Sequence, residues 1–166
     1  SVDKTRAILP LLALSVVADA IVAIKMDELI NQVCQPPPGV MFGARKGTQV
    51  LDIARAAQLH VQKSGDNFGE GGFAQGDIAT YYDSLNCLEI ARWMLANGSE
   101  PALASSLLRV QLLPQVVLTA GGACSFSVAS RSLGTLTGSR SAVAAGRIPV
   151  ETAACELAPS WSRLGV

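Results

Sequence analysis

Charge is scarce in this chain. Asp, Glu, Lys and Arg supply 16% of its 166 residues, and thirteen acids balance thirteen bases. A free-standing nucleic-acid binder usually shows a basic excess, so the composition lacks that signature. Histidine is nearly absent, with His60 alone. The four cysteines, Cys34, Cys87, Cys124 and Cys155, are widely spaced and form no C-x-x-C pair. Together these scarcities exclude a conventional Cys/His zinc cluster. They fit reduced, mostly buried thiols in an intracellular protein. No Gly-Lys-Ser/Thr follows the glycine-rich stretch 65–76, so it is not a phosphate loop but a flexible connection. No Ser/His/Asp arrangement points to a hydrolase.

Apolar residues are plentiful, at 49% of the chain. That fraction suits one folded domain with a core, and leaves apolar surface to pack against something further. The run Ala7–Ile24 follows Lys4 and Arg6 and is almost wholly apolar. It has the look of a signal or anchor segment, with Ala18-Asp19-Ala20 as a small-residue site. Pro10 and Asp19 interrupt it, and helical spacing continues through Met26, Leu29 and Ile30. At about 18 residues it is also short for a spanning helix. A buried helix is the expectation, with no membrane association and an intracellular location, nuclear or cytoplasmic.

Periodicity and end signals predict helices over 12–33, 48–63 (with Thr48 as N-cap) and 84–97, the last stopping at Asn97-Gly98. A fourth begins at Ser99 with Pro101 at an early helical position. Pro36-Pro37-Pro38 separates the first two. Residues 73–78 read as a short strand. Two further strands, 115–120 and 123–129, flank Gly121-Gly122, a tight-hairpin signal. Short helices close the chain around 140–146 and 150–158. This order predicts an α+β domain, mainly helical with a small antiparallel sheet.

Asp77 stands at the end of the first expected strand, where a carboxylate could face a cleft. Magnesium prefers such oxygen ligands. The plainer reading is that Asp77 or Asp83 caps the following helix. The segment Asp77-Ile78-Ala79-Thr80-Tyr81-Tyr82-Asp83 resembles the first catalytic motif of reverse transcriptases of the non-LTR retrotransposon and group II intron type. Three more segments resemble family blocks in the same order: Thr5–Pro10, Phe42–Thr48, and the glycine loop Leu133–Ser139.

The resemblance implies a partial right-hand polymerase, with a fingers-like region at 1–72 and a partial palm at 73–166. Asp77, assisted by the backbone carbonyl of Ile78, would bind Mg2+. Arg6, Tyr82 and Gly138 would contact the incoming deoxynucleoside triphosphate, and Arg45 and Lys46 the template or nucleotide. RNA template and DNA primer would be the partners, together with the remainder of palm and thumb. The family's second acidic motif, an aromatic-Ala-Asp-Asp hairpin, is absent, since no Asp follows Asp83. One carboxylate cannot hold two metals, so this chain is expected to be inactive alone. Leu136-Thr137 also replaces the usual Pro-Gln before Gly138. The competing expectation is a non-catalytic helical module that binds a partner protein through apolar surface.

Overall fold

The computed structural model describes residues 13–35, 43–66, 76–112, 116–120, 123–127, 133–136 and 138–163. Its elements in chain order are α1 (Ala13–Val33), α2 (Val50–Asp66), α3 (Tyr81–Ser84), α4 (Cys87–Ala96), α5 (Pro101–Leu112), β1 (Val116–Ala120), β2 (Ala123–Ser127) and α6 (Arg140–Arg163). The core is helical. Met26 and Ile30 of α1, Ile90 and Met94 of α4, Leu107 of α5 and Ala144, Ala145 and Ile148 of α6 are its centre.

The expected α+β class does not hold. Residues 76–78 are not a strand, and 73–75 lie outside the described residues. Gly76 and Asp77 are weak strand formers, and among the described residues no strand pairs with them. β1 and β2 pair only with each other, antiparallel, from Val116 opposite Ser127 to Ala120 opposite Ala123. Among the described side chains, the buried core cluster is drawn from the helices and the turns beside them. The partial palm therefore has no counterpart in the described residues.

The helix ends follow from local chemistry. The expected start of α4 at Ser84 is displaced by Asn86, whose side chain accepts from the Leu88 and Glu89 amides at 3.0 and 3.3 Å. Its end is the one expected: Gly98 takes φ 85°, and the Ser99 and Gly98 amides donate to Met94 and Leu95 carbonyls at 3.0 and 3.2 Å. That is a Schellman closure, which needs a residue at ease with positive φ. α2 starts after Gln49, whose amide donates to Asp52 Oδ2 at 3.0 Å, rather than at Thr48.

The two short helices expected at the end are one. α6 runs through both Pro149 and Pro159. A proline lacks the N–H that would serve the carbonyl four residues back, which is why the sequence suggests a break. Here Arg147 Nε donates to Glu151 Oε1 at 2.7 Å, bridging the turn that contains Pro149. The helix also packs against α1.

α1 and α6 run parallel and in step. Asp19 meets Arg140 and Ser141, Asp27 and Asn31 meet Arg147, and Cys34 meets Thr152. α4 and α5 form a helical hairpin, and α5 also packs on α1.

Candidate functional site

The Asp77–Asp83 segment forms an exposed turn leading into α3, with Asp77, Ile78 and Asp83 all exposed. Thr80 occupies the N-cap position with φ 51° and caps through no side-chain bond, so neither carboxylate acts as the cap there. Tyr81 and Tyr82 pack edge to face at 5.6 Å between ring centroids. Both rings lie against Gly146 of α6, where an added Cβ would stand 3.2 Å from each. Only glycine allows that approach without displacing a ring. The Tyr81 hydroxyl donates to the Gly146 carbonyl. Burial, reinforced by Tyr82, raises the Tyr81 phenol above its ordinary value of 10.0.

The loop 133–136 lies directly behind this turn. The Gly134 amide donates to the Leu85 carbonyl at 2.7 Å and the Thr135 amide to the Tyr82 carbonyl at 2.9 Å. Gln111, fully buried, fixes the other side of the loop. Its Oε1 accepts from the Leu136 amide, and its Nε2 donates to Ser139 and Ser141 hydroxyls, each at 2.7 Å. Gly138 is exposed, with φ 96°.

The N-terminus of α6, which follows, is closed by side chains. Ser139 Oγ accepts from the Ala142 amide at 3.1 Å. Asp19 accepts from the Arg140 amide at 2.6 Å, the Ser141 amide at 3.2 Å and the Ser141 hydroxyl. A helix N-terminus is an anion site when its amides are open. Here a carboxylate of the protein itself fills that role.

Arg45 sits in a turn between α1 and α2 and points inward. Its guanidinium donates to Glu151 Oε2 and to the Cys34 carbonyl. Glu151 is 2% exposed and bonds Arg147 through its other oxygen. Arg147 completes its fork on Asp27 Oδ1 at 2.6 Å and Asn31 Oδ1 at 2.9 Å. Two guanidiniums thus share one buried carboxylate, with Asp27 as the second acid. Lys46 is exposed beside this turn. Arg6 lies outside the described residues.

The residues singled out from the sequence are therefore divided. Tyr82 and the 133–136 loop are joined, while Arg45 belongs to the α1–α6 seam and Asp77 to an open turn. A two-metal centre does not fit what is present: no group of three His, Cys, Asp or Glu residues converges among the described residues. A cavity of about 480 Å³ lies between α4 and α6, walled by Tyr81, Ile90, Trp93, Ile148 and Pro149. It is mainly apolar, and Asp77, Tyr82 and Arg45 do not line it.

Sequence reasoning passed over Gln111, Arg147 and Glu151, and read Asp19 only as a break in an apolar run, yet these four residues organise this region. Two signals were there to read. Arg147 and Glu151 stand four apart on a helix, the spacing of a facing ion pair. Asp19 is a lone acid in an apolar run, which is costly unless partnered.

No family model matches the chain, and no curated protein or solved structure matches it. Among the described residues no helix is long and apolar enough to cross a membrane.

Proposed function

We propose that this chain is part of an RNA-directed DNA polymerase of the retrotransposon type, with RNA template, DNA primer and deoxynucleoside triphosphates as the parent protein's ligands. It does not polymerise alone. The observation that supports this reading is a tertiary contact. The Asp77–Asp83 segment and the Leu133–Ser139 loop resemble two elements of one polymerase site. They are about fifty residues apart in sequence, yet the Thr135 amide bonds the Tyr82 carbonyl. Common placement of the two segments is what a shared site would require.

The reading concerns ancestry and ligands, not a palm within these residues. Asp77 is accessible, but a two-metal reaction needs further carboxylates. The test is to sequence the transcript and genomic DNA beyond codon 166. An aromatic-Ala-Asp-Asp motif within a few tens of codons, in any frame, is expected. Its absence in every frame overturns the proposal.

A second reading, a non-catalytic helical interaction module, is favoured by exposed apolar side chains. Leu14, Val17, Ile21 and Ile24 of α1 and Leu51, Leu59 and Val61 of α2 are all more than half exposed. Arg45, spent on Glu151, also suits a structural role. Sedimentation velocity separates the two readings. A module that associates through α1 gives a mass above the monomer that Ile21→Glu returns to the monomer value.

A further inference from the structure

Two thiols meet where the C-terminal end of α1 crosses α6. Cys34 Sγ lies 3.8 Å from Thr152 Oγ1. Cys155, one helical turn beyond Thr152, donates to the carbonyl of Gln35, the residue after Cys34, at 3.3 Å. Each sulfur therefore contacts the immediate neighbourhood of the other. Both thiols are free, with Cys34 buried and Cys155 partly exposed. Neither takes part in the contacts that join Tyr82 to its loop.

We propose that Cys34 and Cys155 form a reversible disulfide that clamps the end of α1 to α6 when the protein meets a small-molecule disulfide such as oxidised glutathione. The partly exposed Cys155 reacts first. Its thiolate attacks the small disulfide, forming a mixed disulfide and releasing one small thiol. The Cys34 thiolate then attacks the Cys155 sulfur and releases the second. Two protein S–H bonds and one small-molecule S–S bond are exchanged for one protein S–S bond and two small thiols. No other oxidant is needed.

The surroundings set the pace. Burial first, then Cys34 and Glu151, raise the Cys155 thiol above its ordinary value of 9.0, against the lowering pull of Arg45. The thiolate is the attacking species, so clamp formation is slow at neutral pH and quickens as pH rises. The closed loop is long, about 120 residues, so the oxidised form should melt on the order of 10 °C higher.

The test treats the whole chain with excess oxidised glutathione at about pH 8, where exchange is faster. After alkylation and digestion, disulfide-linked peptides are mapped by mass spectrometry. A dominant Cys34–Cys155 link, reversed by dithiothreitol and kept in Cys87→Ser, is the expected result. A link through Cys87 or Cys124, or a stable glutathione adduct on Cys155 with no internal link, overturns the proposal. The wild-type map needs no variant to fold. Cys155→Ser adds a second reading, loss of the oxidative rise in melting temperature.

Discussion

The two seams of the helical core are built from different chemistry. Between α4 and α5 the buried groups are Cys87, Ile90, Ala91, Met94, Ala104 and Leu107, with Gln111 only at the far end. Along α1–α6, Asp19, Arg147 and Glu151 are each at most 6% exposed, interleaved with buried Val22, Met26, Ile30, Ala144, Ala145 and Ile148. An apolar seam gains from area removed from water and tolerates small shifts. A buried ionic seam depends on every partner being present, because a charge left alone in the interior is far more costly than a lost contact. The polar seam therefore fixes register, and the apolar seam mainly adds cohesion.

The contrast breaks most sharply at Glu151. Glu151→Ala leaves Arg147 and Arg45 without their shared acid, and should cost about 4 kcal/mol in urea unfolding. Leu107→Ala, its apolar counterpart on α5, should cost about 3 kcal/mol by cavity formation. Equal or reversed effects would erase the distinction between the seams. Asp19→Ala removes two amide bonds and a hydroxyl bond at the start of α6. About 2 kcal/mol is expected, with earlier hydrogen exchange at residues 140–142.

A smaller effect tests the Tyr81 contact. Its phenol is raised in the folded state, so below pH 10 both states carry the proton and its contribution is complete. As pH climbs past 10 the unfolded state loses the proton first, and stability falls until the folded phenol also ionises. Tyr81→Phe should flatten the alkaline part of the stability curve relative to wild type. The smallest effect belongs to the surface pairs Lys25–Glu28 and Arg92–Glu89, both exposed. Lys25→Ala or Glu89→Ala should leave the melting temperature unchanged within replicate scatter.

Helix existence was legible wherever an apolar period met an end signal. The first helix was expected over 12–33 and spans Ala13–Val33, and Asn97-Gly98 closes α4 as read. The β hairpin was visible in Gly121-Gly122 between apolar runs, with β1 and β2 inside the expected spans. Its place in the architecture was not visible. A strand is an element only when another strand completes its hydrogen bonds, and among the described residues none does so for residues 76–78. Pro149 misled for a similar reason. Its local cost is real, but the Arg147–Glu151 bridge and the α1 contact outweigh it.

The candidate residues divide along the same line. The sequence could place Tyr82 and the 133–139 loop in one site only through resemblance, and it is their backbone bonds that join them. It could not foresee that Arg45 would turn inward, because the acid that holds it lies 106 residues away.

The sequence by itself determined the span of α1, the end of α4 and the positions of β1 and β2. These depend on propensities and periods acting over a few residues. The tertiary structure alone decided that α1 and α6 lie parallel, that Asp19 caps a helix beginning at residue 140, and that Cys155 reaches the carbonyl of Gln35. Each joins groups more than a hundred residues apart. Such a pairing is chosen by the free energy of the whole packed core, in which a buried charge must find its partner wherever along the chain that partner occurs.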